Sequence, residues 1–301
     1  MNNVYVMLST YNGEKYLKEQ INSVIVQKNV KLKLRIRDDG SKDKTLDIIK
    51  EYSNKYDNIE YFVGSNVGAC NSFLELIYES PDCEYYAFCD QDDYWYPEKL
   101  YKAIEQLEKY KDIPAMYFSK KNLVDKDRKK MAQEDTKVNK VTYGASLFSG
   151  VAYGCTMVIN KEAMQLIKKY KPTHMAMHDI WVWRVVAAFG KVIYDPNSYI
   201  DYRQHGNNCV GAKAAIGKRI LLGLESIVKR KDEHYRSEAA GEMYNAFGNI
   251  MNERNRKLTY ELANAPKSML QRVKLFFNKD MESQTFFETM ILKFFVLLGW
   301  I

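Results

Sequence analysis

Residues 85–95 read YYAFCDQDDYW. Five apolar or aromatic residues in a row form the pattern of a short strand buried on both faces. The run ends in Asp90, Asp92 and Asp93, three carboxylates within four positions. Such charges repel one another and cannot all be buried unpaired. Either the strand ends in a solvated turn, or something positive sits there. Where strands are buried on both faces, ligands bind beyond their carboxyl ends, so this acidic end is the first place to look for chemistry.

The same grammar recurs upstream. Val4–Leu8 is a short β-rich run followed by the turn residues STYNGE, and Tyr16 to Gln27 carries Tyr16, Leu17, Ile21, Val24 and Ile25 at helical spacing. Leu32–Ile36 alternates like a strand and enters Asp38-Asp39-Gly40-Ser41. Ser41 or Asp43 can then cap a helix running through Lys55. Ile59–Val63 is a third strand, GSNVGA a third turn and Asn71–Tyr78 a third helix. Strand, turn and helix repeated in this way predict an α/β fold, a mainly parallel central sheet with helices on both faces. The polar clusters STYNG, RDDGS, GSNVG and DQDD all fall on one rim of that sheet.

Beyond residue 100, Glu98–Lys111 reads as a helix and Lys120–Lys140 as a charged surface excursion. Leu147–Ile159 (LFSGVAYGCTMVI) reads as a strand with close backbone approach at its glycines. Glu162–Lys169 and residues 178–189 (HDIWVWRVVAAF) read as helices, and from Ala212 onward helix follows helix. The expected organisation is a domain over 1–211, in two halves at 1–100 and 101–211. An all-helical C-terminal extension would occupy 212–301.

Of 301 residues 46% are hydrophobic, enough for a sizeable core. Five cysteines without a Cys-x-x-Cys pair fit a reducing compartment. With no signal-type opening and no apolar run of about 18 residues, a cytoplasmic protein is expected. The net charge of +7 is uneven: residues 211–301 hold 15 Lys and Arg against 10 Asp and Glu, the first 210 hold 30 against 28. A basic tail suits an anionic partner. No helix-turn-helix, RNP or zinc pattern accompanies it, and an acidic rim repels phosphate backbones, so no nucleic acid is expected.

Asp90-Gln91-Asp92 at a strand end is a handle for a hard divalent cation, Mg²⁺ or Mn²⁺, which shares ligands with a substrate phosphate. No P-loop is present and GSNVGA lacks the Rossmann spacing, which argues against ATP hydrolysis and dinucleotide redox chemistry.

Taken in order, VYVMLSTYNGEKYLKEQINSVIVQ, RDDGSKDKT, GSNVGACNSF and FCDQDDYWYPEKL resemble a family 2 inverting glycosyltransferase of the GT-A fold. HDIWVW and DYRQHGNNCVG resemble its bacterial rhamnosyltransferase branch. The resemblance implies that Ser9, Thr10 and Tyr11 line the base and ribose of a nucleotide-diphospho-sugar, with Tyr11 stacking on the base. Asp39 would accept the pyrimidine N3–H, and Asn66 and Gly68 would border the nucleotide. Asp90, with Gln91, would face the ribose or a metal-bound water. Asp92 and His205 would hold the cation, and Arg203, sharing a face with His205, would pair with phosphate. Asp179 would be the catalytic base, with His178, Trp181 and Trp95 walling the acceptor or sugar pocket.

The same resemblance points to dTDP-L-rhamnose as donor. A UDP-hexose donor and a non-catalytic sugar-nucleotide-binding module are the alternatives. The implied acceptor is a growing, lipid-linked cell-surface polysaccharide (capsule, O-antigen or wall rhamnan), which would place a peripheral enzyme at the inner face of the cell membrane. Phe286–Ile301 (FFETMILKFFVLLGWI), with Lys267, Arg272, Lys274 and Lys279 upstream, reads as an interfacial helix on anionic lipid or a homodimer contact.

Overall fold

The computed structural model describes residues 1–132, 135–173, 175–205 and 233–301. The readings made for Gly206–Asn208, Cys209 and the start of the tail, 212–232, lie outside the described residues. At the centre of an eight-stranded sheet, β1 (Asn2–Thr10) runs parallel to β2 (Val30–Asp38) on one side and β4 (Tyr85–Cys89) on the other. The strand β3 (Ile59–Val63) continues the parallel set beyond β2. Past β4 the sheet turns mixed. A three-residue strand, β7 (Val158–Asn160), runs antiparallel between β4 and β6 (Ala115–Val124). Next to β6 lies the parallel β8 (Lys191–Arg203), edged by the antiparallel β5 (Tyr94–Trp95).

The run of apolar residues in β1 is explained by burial on both faces. Val4, Val6 and Leu8 join one core with Leu17, Ile21, Leu34, Ile49 and Leu100. Those residues come from β2 and from α1 (Leu17–Ile25), α2 (Thr45–Lys55) and α4 (Lys99–Leu107). Tyr5 and Met7 point the other way, as period two requires. They pack toward α3 (Gly68–Glu79), in a second core shared with α5 (Tyr143–Phe148), α6 (Lys161–Ile167) and α7 (His178–Phe189).

That second core also takes in the tail: α8 (Tyr235–Phe247), α9 (Glu253–Asn264), α10 (Met269–Phe277) and α11 (Phe286–Leu298). Phe247, Leu262 and Val296 belong to the same cluster as Met7 and Phe88. Tyr143 of α5 and Thr259 of α9 share a hydroxyl–hydroxyl hydrogen bond of 2.6 Å. The tail is packed as part of the sheet's own core, with no core to itself.

Two local expectations change. Leu147–Ile159 is not one strand: Thr142 caps α5 by accepting from Ala145 N at 3.2 Å, so the run begins in a helix. A 3₁₀ turn over Gly154–Thr156 follows, and only Val158–Asn160 extends. The charged excursion starts inside the sheet, for Lys120 and Asn122 are still paired to β8. Lys121 is accommodated there because its ammonium meets Asp135 at 2.5 Å and lies 3.3 Å from the Tyr153 ring centre.

Candidate active site

The carboxyl ends of β1, β2 and β4 open into one crevice of about 380 Å³, within the range of small-molecule sites. Its β1–β2 side is assembled by cross-strand hydrogen bonds. Gln91 grips the exit of β1: its carbonyl accepts from the Thr10 hydroxyl at 2.6 Å and Tyr11 N at 2.8 Å, and its amide donates to Tyr11 O at 3.2 Å. A Cβ on Gly13 would stand 2.4 Å from the same carbonyl oxygen, so the grip requires glycine there.

Asp39 is fixed as firmly. Its Oδ1 accepts from Arg37 Nη1 at 2.5 Å and Val67 N at 2.9 Å, and its Oδ2 from Gly68 N at 3.0 Å. A carboxylate oxygen can accept twice, so Oδ2 keeps one lone pair at the crevice. Gly68 sits at φ +81°, a region natural to glycine, at the start of α3. Ser9 shares a 2.6 Å hydrogen bond with Ser72. Asn66 and the half-exposed Tyr11 complete this wall.

The three carboxylates of the opening stretch have three different fates. Asp93 is buried outright and accepts Arg203 N at 3.1 Å. Arg203 in turn donates from Nε to Asp92 O at 2.8 Å and from Nη1 to Lys126 O at 2.6 Å, and pairs with Glu19 of α1. The end of β8 and the acidic loop are thus interlaced. This brings His205 Nε2 to 2.9 Å from Asp92 Oδ2, with the imidazole stacked on Tyr16 at 5.0 Å. Arg203 is 3% exposed and does not line the crevice. The structure gives it to the frame that carries Asp92 and His205.

Asp90, on the crevice floor, is pushed up to about 7 by desolvation and by the charges of Asp92 and Asp179. Burial and the charges of Asp92 and Asp90 push Asp93 well above the carboxylate range. Clustered carboxyls that hold protons this tightly lack a counter-charge. Buried Lys99 supplies part of one behind them, its ammonium 3.7 Å over the Trp95 ring and pushed down to about 8 by burial.

Among the described residues, Asp90, Asp93 and Cys155 bring one ligand atom each within 4.8 Å of one another. That trio suits a hard cation poorly: Asp93 Oδ1 already takes Arg203 N, leaving only its buried Oδ2, and burial holds the Cys155 thiol far from ionising. Asp90 and Asp92 at the crevice, with His205 already turned to Asp92, offer the oxygen and imidazole donors that Mg²⁺ or Mn²⁺ accepts.

The opposite wall comes from β7's approach and from α7. Asp179, in the first turn of α7, accepts Gly154 N at 3.0 Å and Ile180 N at 2.7 Å, and desolvation pushes its carboxyl up to about 6. Its neighbour His178 is buried, stacked on Phe73 at 4.0 Å, and neither ring nitrogen has a partner among the described residues. Burial pushes it down to about 3, so it is neutral in ordinary buffers. Only glycine fits at 154, where a Cβ would stand 2.6 Å from His178 Nε2.

The crevice therefore collects ten of the side chains or backbone positions read from the sequence: Ser9, Tyr11, Asp39, Asn66, Gly68, Asp90, Gln91, Asp92, His178 and Asp179. Thr10 and His205 stand one contact behind it. Trp95 and Trp181 do not reach it. Both are wholly buried, Trp95 under Lys99 and Trp181 against Tyr170 and Phe247, so they are core and not pocket wall. Phe73, Tyr153, Cys155 and Tyr202 line the crevice without having been singled out. Only the glycine at 154 hinted at a close approach there.

An open α/β sheet carrying a crevice beyond its strand ends, with an acidic rim and a carboxyl opposite it, has the form of a nucleotide-diphospho-sugar transferase of the GT-A type. The chain belongs to Glycosyl transferase family 2, whose model matches residues 5–184. It is 34% identical over 237 residues to the dTDP-rhamnosyl transferase RfbG of Shigella flexneri, covering 72% of this chain and 78% of that one. An uncharacterised glycosyltransferase of Rickettsia typhi is 28% identical over 207 residues, 67% of this chain and 64% of the relative's length. Among solved structures, Staphylococcus aureus TarS 1-349 in complex with UDP-GlcNAc superposes with a TM-score of 0.58 at 14% identity, covering 99% of this chain and 91% of that one. The mannosyltransferase PcManGT of Pyrobaculum calidifontis, in complex with GDP-Man and Mn²⁺, gives 0.50 at 12% identity over 97% and 86%. At these identities the two structures speak for the fold alone.

Proposed function

We propose that this glycosyltransferase moves L-rhamnose from dTDP-L-rhamnose, with inversion, onto a lipid-linked polysaccharide acceptor at the inner face of the cell membrane. The observation that carries the reaction is the crevice itself, where the raised carboxyl of Asp179 faces the Asp90–Asp92 rim and a base pocket built on Asp39. The name of the 34% identical relative supports the donor.

The free lone pair of Asp39 Oδ2 accepts the N3–H of thymine, and Tyr11, half exposed at the rim, covers the base. Ser9, Asn66 and Gly68 border the ribose and diphosphate, with Gly68 allowing the backbone to come close. Asp90, Asp92 and His205 would hold Mg²⁺ or Mn²⁺, which neutralises charge on the departing nucleotide diphosphate. From the other wall, Asp179 takes the proton of the acceptor hydroxyl as that oxygen bonds to the anomeric carbon. The bond to the diphosphate breaks on the opposite face, and the configuration inverts. Gly154 N and Ile180 N hold the Asp179 carboxylate in line for this transfer.

The test is calorimetric binding of dTDP, UDP, GDP and CDP with and without Mn²⁺, followed by transfer assays on lipid-linked saccharides. Metal-dependent binding of dTDP that is lost in Asp92→Ala is the expected result. Preference for UDP would replace the rhamnose donor by a UDP-hexose, since N3–H is common to uracil and thymine. Failure to bind any nucleotide would sink the enzyme reading.

A further inference from the structure

Eight of the fifteen large apolar side chains that the described residues leave exposed lie on α10 and α11. Scattered apolar surface is ordinary, whereas this concentration within two short helices is not. The two helices pack on each other and turn Leu275, Leu292, Phe295 and Val296 inward. Outward they leave Phe277 78%, Phe286 80%, Phe287 62% and Phe294 58% exposed, beside Met269 and Leu270. Phe287, Met290, Phe294 and Leu298 recur at three- and four-residue spacing and so form one stripe of α11. No described helix is long and apolar enough to cross a membrane.

The exposed charge around this face is mainly positive, with Glu253 beside Lys274 and Lys279 as the acidic exception. Lys267, Lys274 and Lys279 are exposed and make no ion pair among the described residues. The acidic side chains between residues 261 and 288 are all engaged by protein donors. Glu261 takes the Asn278 amide at 2.7 Å, Glu282 takes Lys140 at 2.6 Å, Glu288 takes the Ser283 hydroxyl at 3.0 Å, and Asp280 takes Arg254. A second copy docked here would bring like charges together, whereas an anionic bilayer would neutralise them and accept the phenylalanines.

We propose that the α10–α11 face is the surface on which this enzyme lies on an anionic bilayer, phenylalanines among the acyl chains and lysines among the headgroups. The proposal rests on the lipid-linked acceptor assigned above, and supplies the part of the chain that meets the membrane.

The experiment is cosedimentation of the full chain with vesicles of phosphatidylcholine alone and with added phosphatidylglycerol, at low and high salt. Wild type should pellet with the anionic vesicles and be released by salt. The triple change Lys267→Gln, Lys274→Gln and Lys279→Gln should weaken binding by roughly a hundredfold. Phe286→Asp with Phe294→Asp should abolish it with little change in melting temperature, since Phe286 is 80% and Phe294 58% exposed. Wild type remaining in the supernatant, or either variant binding like wild type, overturns the proposal. So does a dimer in light scattering that Phe286→Asp with Phe294→Asp splits. Nucleotide binding, measured separately without vesicles, keeps a failure here distinct from a failure of the donor reading.

Discussion

A carboxyl that is to receive a proton must first be without one, and at Asp179 desolvation opposes that, raising it to about 6. Below that pH the group is protonated and cannot act as base. The rate, followed as kcat at saturating nucleotide and metal, is therefore expected to rise with pH through about 6. His178, neutral above about 3, should add no second step. Asp179→Asn should lower kcat by about 10²–10⁴ while nucleotide affinity stays as it was. Stability moves the other way. A carboxyl whose folded value is raised favours the fold below its unfolded value and loses that contribution as pH rises through the folded one. Asp179→Asn should then melt higher than wild type at neutral pH and show no such gain in acid, a comparison that calorimetry settles. At this scale much of the site was legible, because Asp39, Gly68 and the acidic loop stand where strands end. Tyr153 and Tyr202 were not, because their neighbours come from strands that meet only in the folded sheet.

At the scale of elements, the first four strands followed from periodicity, since strands buried on both faces give unbroken apolar runs. The second half of the sheet gave a weaker signal. Its joining strand β7 has three residues, too few for any pattern, and Gly154 before it and Gly190 before β8 serve close approaches, whereas Gly150 has open space around it. One of those approaches is testable. Gly190 links α7 to β8, and a Cβ there would stand 1.8 Å from Pro114 O, a backbone atom at the entry to β6 that cannot swing aside. Gly190→Ala should destabilise the protein by about 3 kcal/mol or more, read from chemical denaturation. Gly154→Ala should instead cost mainly activity, because its clash falls on His178 beside Asp179.

For the whole molecule, the boundary near residue 211 follows the motifs but not the packing. A Cβ on Gly144 of α5 would stand 2.0 Å from Asp280 O, so tail and catalytic domain touch backbone to backbone. Gln284 reinforces the seam, accepting from Asn139 N at 2.9 Å and Lys140 N at 3.0 Å. A chain ended after residue 211 would leave Trp181 without Phe247 and Tyr143 without Thr259. It is expected to be insoluble or to melt far below the full chain, which expression and thermal denaturation would show.

The antiparallel turn of β7 has a consequence for how such enzymes diversify. It delivers Tyr153–Cys155 to the mouth of β4 from a part of the chain that shares no loop with Ser9, Asp39 or Asp92. The wall that would meet the acceptor is therefore a separate cassette from the wall that would read the nucleotide. Exchange of residues 149–157 between relatives should redirect the sugar that receives, and leave the sugar that is given unchanged.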